Sequence, residues 1–267
     1  MPSIRLPRAT PLPARWDGLW LVWGLVLATT YYASGMFGLA TPQIGAHVSL
    51  IWPAAGLAFA ALVRLRPGMW PAVMLGALPV ALSTGLPLWA AVLTALGNAA
   101  GPALAAESLR RHGLHTNLDR RQDLWRFGLG AGAATLISAT NGTCWLVLSG
   151  ALPWTLAPAA WASWWLGDLM GVIVVGVPLL TASRATLRRA FGDWRWVPGL
   201  LLAGGSVAGA WFSFRGQPGV VSPLLFLPYL LLGWLALRSG VFAASATVLL
   251  LAVMSVVATL TSHGPFA

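Results

Sequence analysis

The sequence predicts an all-α polytopic membrane protein of about eight to nine transmembrane helices with a cytoplasmic N-terminus. Three observations carry that reading. The chain has 267 residues, of which 58% are hydrophobic and 8% charged, against about 45–50% and about 25% in a soluble domain. Apolar runs of membrane-spanning length follow one another along the whole chain, where a span needs roughly 17–25 residues. All sixteen basic residues are arginines, and they lie in short loops between those runs, as charges that orient a membrane protein do.

The elements follow in order. Residues 1–17 form a cytoplasmic N-terminal segment with Arg5, Arg8 and Arg15. They faintly resemble a signal peptide, but the apolar run from Gly18 to Ala40 is too long for one. It is read as span one, 18–39. Span two, 48–63, stops at Arg64 and Arg66. Span three, 69–83, is short and carries Pro71 and Pro79, so it is expected to be tilted, broken or half-inserted. Span four, 88–108, runs from Pro87 to Arg110 and Arg111. The longest polar stretch, Leu109 to Arg126, is too short to bury a core of its own. Spans five and six cover 127–149 and 161–182. Arginines from Arg184 to Arg195 then precede span seven, 197–213. Spans eight and nine, 220–237 and 240–261, flank Arg238.

A cytoplasmic N-terminus puts every arginine inside except Arg215, which is the outcome the positive-inside rule expects of a correct count. Nine spans leave the C-terminus outside. Residues 18–267 are therefore expected to be an integral membrane domain cut before its last span and a cytoplasmic output domain.

Ionisable groups inside a span cost about 2.5–3.5 kcal/mol each and are functional candidates by default. Two acids fall within the spans. Glu107 sits beside Arg110 and Arg111 at a cytoplasmic end, where an interfacial ion pair accounts for it. Asp168, in "WWLGDLMG", lies about 10 Å below the outer boundary of span six at 1.5 Å per residue. Trp161, Trp164, Trp165, Asp168 and Val172 repeat at helical spacing and share a face. Gly167 and Gly171 form a G-x-x-x-G pair, which lets another helix approach closely. Asn98 in span four, Asn141 in span five and Trp52 in span two lie at similar depth. Together with Asp168 they are expected to form a polar layer in the outer half of the membrane. Helix–helix hydrogen bonding explains the two asparagines equally well, and an interfacial belt explains many of the sixteen tryptophans.

Other signals carry no chemistry. There is no G-x-S-x-G, no H-E-x-x-H and no paired-cysteine site, and Cys144 stands alone in a span. His112 and His115 sit among loop arginines. "GLGAGAA" (Gly128–Ala134) follows no strand and reads as close helix packing. "NGT" (Asn141–Thr143) lies inside a span and is discounted for glycosylation. The net charge of +10 orients the chain rather than binding nucleic acid. No cofactor, metal or enzyme activity is expected. The arginine loops are expected to touch anionic lipid headgroups.

Several motifs converge on one family. "LIWPAAGLAFAAL" (Leu50–Leu62), "ALGNAAGPALAAESLRR" (Ala95–Arg111), "WASWWLGDLMGVIVVGVPLL" (Trp161–Leu180) and "HGPF" (His263–Phe266) resemble the bacterial membrane-associated sensor family, the MASE group of the first type. The likeness runs from about residue 20 to the end, and "WWLGD" is its most specific part. It implies a sensory input module of the bacterial inner membrane. Such modules precede a diguanylate cyclase, a phosphodiesterase or a histidine kinase, with a further span after the G-P-F loop. Asp168 corresponds to the family's W-W-x-G-D acid and Asn98 to its G-N position. Where the family has an acid shortly after G-N, this chain has Gly101 and Pro102. The resemblance also implies homodimerisation through the output domain and a small-molecule or protein stimulus it does not name. A transporter or substrate-capture subunit is the rival expectation, since proline-broken spans and a mid-span acid suit it too.

Overall fold

The computed structural model describes residues 18–40, 51–191, 196–214 and 226–260. Every regular element among them is helical. α1 (Gly18–Ala40), α2 (Pro53–Arg64), α3 (Trp70–Ser83), α4 (Leu88–Arg111) and α5 (Arg121–Leu148) are followed by α6 (Ala157–Gly171). A π-helical turn (Val172–Gly176) joins α6 to α7 (Val177–Thr181), and then come α8 (Arg184–Phe191), α9 (Trp196–Phe214), α10 (Leu227–Ser239) and α11 (Val241–Leu260). Four stretches are long and apolar enough to cross a membrane: Gly18–Ala40, Leu88–Arg111, Arg121–Leu148 and Trp154–Thr181. The predicted spans two, three, seven and nine correspond to shorter apolar helices.

The side-chain distribution is that of a membrane protein. Small residues fill the interior: Ala54, Ala58, Ala90, Ala95, Ala99 and Ala106 are all buried. Large apolar residues such as Leu25, Leu104, Leu129 and Leu230 face outward. Lipid supplies no hydrophobic drive between helices, so close packing of small residues holds them together.

Several boundaries differ from expectation for local reasons. Predicted span two is a helix of 12 residues, about 18 Å long at 1.5 Å per residue. It starts at Pro53, whose ring restricts Trp52 to an extended-side backbone, φ −110° and ψ 87°. Span three gains a 3₁₀ turn, Pro67–Met69, and keeps Pro79 inside its helix. α4 ends where Gly113 takes φ +67°, and the Leu114 N–H bonds back to the Leu109 carbonyl at 3.0 Å. That left-handed closure suits glycine. α5 begins six residues before the predicted 127, because Arg120 to Arg126 coil onto it. The π turn precedes Pro178, which offers no N–H to the carbonyl four residues back. Val177 instead bonds to Val172. α8 was not expected. It is polar and amphipathic, so apolar-run reasoning passes over it. Of the predicted spans eight and nine, residues 220–225 and 261 lie outside the described residues, as do the N-terminal segment 1–17, residues 48–50 of span two, Arg195, Arg215 and the terminal "HGPF" motif.

α1 to α7 pack as one bundle. At its heart α2 lies against α6, the π turn and α7 with almost no gap. The Trp52 N–H donates to the Gly167 carbonyl at 3.0 Å. A Cβ on Gly56 would overlap the Gly171 carbonyl oxygen and lie 2.8 Å from the Gly176 nitrogen. A Cβ on Gly171 would overlap the Trp52 carbonyl oxygen. At the other end of α2, Arg64 Nη1 donates to the carbonyls of Leu179 at 2.8 Å and Leu180 at 3.2 Å, and to that of Ala182. It thereby caps the last turn of α7. Glu107 pairs with Arg111 at 2.6 Å on the surface, as expected of it.

Gly56→Ala is therefore expected to destabilise the fold by about 1–3 kcal/mol, the usual range for overpacking. Gly132→Ala, where an added Cβ meets nothing within 4 Å, is expected to be neutral or to gain about 0.5–1 kcal/mol. Thermal unfolding in detergent, followed by size-exclusion chromatography, compares the two. Equal melting temperatures would remove the close contact from consideration.

Candidate functional site

One cavity of about 60 Å³ opens among α1, α2, α3, α4, α5 and α6. Its walls include Tyr31, Trp52, Thr94, Asn98, Trp164 and Asp168, with Leu39, Val80, Leu86 and Leu146 between them. It sits at the end of the bundle where α1, α3 and α5 finish and α2, α4 and α6 begin. The opposite end of this bundle carries Arg64, Arg66, Arg110, Arg111, Arg120, Arg121 and Arg126. No basic side chain lines the cavity. A second void, about 10 Å³, shares Tyr31, Asn98 and Asp168 and reaches toward Phe59 and Pro102. It has room for one water at most.

Asp168 is buried, with 3% of its surface exposed. Its Oδ2 lies 2.7 Å from Ser138 Oγ, and the Trp164 indole lines the same cavity from its own helix. Ser138 Oγ is also 2.9 Å from Asn98 Oδ1. Asn98, Trp52 and Tyr31 line the cavity together. The result is a polar cluster of Trp52, Tyr31, Asn98, Ser138, Asp168 and Trp164, bonded through Ser138 to Asn98 and Asp168, that draws in α1, α2, α4, α5 and α6.

Ser138 owns one hydroxyl proton but faces two oxygens, Asn98 Oδ1 and Asp168 Oδ2. An indole can only donate. Given to Asn98, the Ser138 proton leaves Asp168 to meet Ser138 as a carboxylic acid; given to Asp168, it meets a carboxylate.

The structure brings together four of the six residues singled out by sequence: Trp52, Asn98, Trp164 and Asp168. Gly142 makes room for Trp164, since a Cβ there would overlap the indole ring. Asn141 and Trp165 do not line the cavity. Asn141 packs against Gly97, donates to the Leu93 carbonyl at 2.8 Å and accepts from the Trp145 indole at 3.0 Å. That ties α5 to α4, the structural alternative for an asparagine at this depth. Trp165 stacks on Trp161 with ring centroids 6.0 Å apart, one position round the helix from Trp164. Ser138, Tyr31 and Thr94 were not singled out. Ser138 lies one turn before Asn141, and that spacing was the available signal. Thr94 Oγ1 is buried and has no hydrogen-bond partner.

A helical membrane protein with a small, acid-bearing cavity enclosed by six helices is the class these features define. The chain belongs to the MASE1 family, whose model matches residues 23–267. MASE1 is a family of membrane sensory input domains. No curated protein and no solved structure matches the chain.

Ser138→Ala is expected to cost about 1–3 kcal/mol, because it strands the buried polar groups on both sides. In a double-mutant cycle with Asp168→Asn the two effects are expected to be non-additive by more than about 0.6 kcal/mol, the average for membrane hydrogen bonds. Reversible unfolding in mixed micelles gives the coupling. Additive effects would mean the two groups do not act as one chain.

Proposed function

We propose that this chain is the sensory input module of a signal-transduction protein of the bacterial inner membrane. A stimulus enters the cavity at Asp168, and the resulting change reaches a cytoplasmic diguanylate cyclase, phosphodiesterase or histidine kinase. The observation that carries the reading is the buried carboxyl facing a cavity at the arginine-free end of the bundle. The positive-inside rule makes that end the outer one, so the cavity faces the side from which an external stimulus arrives.

The packing offers a route for the change. Trp52 walls the cavity and starts α2, and Arg64 ends α2 on the carbonyls of α7. α11, the last described helix, packs on α7 and on the π turn. Occupancy that shifts Trp52 against Gly167 moves α2 relative to the α6–α7 unit on which α11 rests. A ligand changes the output only through its differential affinity for two such packings. Paired outputs of this kind would make the full protein a homodimer.

Two measurements test the proposal. Single cysteines at Gly85 and Gly113, in a Cys144→Ser background, are expected to label oppositely in intact cells, Gly85 from outside and Gly113 only after permeabilisation. The same labelling at both would overturn the orientation. Second, the native gene product is expected to have an intact mass well above the 28.1 kDa of this chain. In it, Asp168→Asn is expected to abolish or lock the output at unchanged membrane abundance. A mass of 28.1 kDa, or an unaltered output response, would sink the sensor reading and leave uptake assays as the next step.

A further inference from the structure

We infer that the cavity is a site for a small organic cation, an ammonium group held by the Asp168 carboxylate and the faces and edges of Trp52, Trp164 and Tyr31. The inference rests on the sensory reading for its consequence, but the site itself stands on geometry.

Charge is the first argument. Asp168 is buried at the cavity wall and has no basic side chain beside it among the described residues. An uncompensated buried charge is costly, and pairing relieves it. Every charged or titratable group at the cavity wall is accounted for by two residues. α1 contributes Tyr31 and α6 contributes Asp168, while α2, α3, α4 and α5 contribute none. A cationic ligand would supply the countercharge that no side chain of this wall provides.

The walls decide what kind of cation. A metal ion needs several hard or soft ligands, and no group of three or more His, Cys, Asp or Glu side chains comes together among the described residues. Three aromatic side chains around one carboxylate are instead the surroundings of an organic ammonium, which the ring faces attract through their quadrupoles. The Thr94 hydroxyl, buried and unpartnered on the same wall, is free to bond an N–H or a hydroxyl of the ligand. Size sets the limit. At about 10–15 Å³ for each water-sized atom, the 60 Å³ of the cavity takes about four to six non-hydrogen atoms.

The test is a titration of the full native gene product in nanodiscs, followed by tryptophan fluorescence and calorimetry. The probes are ethanolammonium and tetramethylammonium. Their neutral counterparts are ethylene glycol and tert-butanol, and acetate is the anionic control. Both cations are expected to saturate the site and to bind at least about tenfold tighter than the neutral and anionic probes. Asp168→Asn is expected to lose at least about tenfold for both cations. Trp164→Leu is expected to weaken both, and Thr94→Val to weaken ethanolammonium but not tetramethylammonium. These two variants keep the test decisive if Asp168→Asn fails to fold. Equal binding of the neutral probes, or no saturable cation binding by folded wild type, would overturn the cation assignment. Unchanged cation affinity in all the folded variants would do the same. The two readings fail separately. If no cation binds but Asp168→Asn alters output, the sensor stands and its ligand class is wrong. If cations bind without altering output, the site stands and the sensor reading falls.

Discussion

The contact between α2 and the α6–π–α7 unit is the constraint on which the rest of this structure depends. Two backbones meet at Gly56, Gly171 and Gly176 with no side chain between them. The Trp52 N–H, which has no helical partner at the start of α2, is satisfied by the Gly167 carbonyl. A backbone polar group left unpaired in lipid costs several kcal/mol, so this bond fixes the height of α2 against α6 as well as its distance. With α2 at that height, the indole of Trp52 reaches Tyr31 on α1. Asp168, one residue past Gly167, faces Ser138 on α5. The glycines thus position a site to which they contribute no chemistry.

Burial and polarity are balanced at Asp168 in a particular way. A carboxyl at 3% exposure in a low-dielectric bundle is expensive to ionise unless donors surround it. Here Ser138 bridges Asp168 to Asn98, with Trp164 on the acid's own helix and Tyr31 beyond Asn98. Such networks are worth more when complete than their pairwise parts, and a single missing member strands several others. The cavity lies beside this cluster and shares Tyr31, Asn98 and Asp168 with it. Whatever enters the cavity therefore meets groups already committed to holding five helices together.

Depth was legible in the sequence, and direction around each helix was not. Counting 1.5 Å per residue placed Trp52, Asn98, Asn141 and Asp168 at one level, and three of them line one cavity. Which of them face inward depends on the partner each helix meets. Asn141 is turned by Gly97 and Trp145 to the α4–α5 seam, while Ser138, one turn earlier, takes the position facing Asp168. Tyr31 sits in a run of mixed polar and aromatic residues with nothing to mark its inward face. Trp164 and Trp165 are adjacent and 100° apart on the helix, so only one can reach the cavity. Among the elements, caps and charges marked helix ends well, as at Arg64, Arg111 and Arg238. The π turn and α8 escaped because one arises from the local effect of Pro178 and the other is too polar to read as an apolar run.

The shortness of α2 gives the site its mechanical meaning. A helix of 12 residues is shorter than a hydrocarbon core of about 30 Å, and both of its ends are tied to a partner helix. Trp52 does this at one end against α6, and Arg64 does it at the other against α7. Between those two anchors on the partner lies the π turn, where the helical ladder is already widened and where functional sites often occur. A rigid rod fixed at two points to a partner with a soft point between them cannot shift at one end alone. A displacement of Trp52 is taken up either by the π turn or by Arg64 exchanging among the carbonyls of Leu179, Leu180 and Ala182. The first changes the surface on which α11 packs, and the second changes the end of α7 that leads into α8. Only the second of these lies at the arginine-bearing end of the bundle, where Arg64 meets α7.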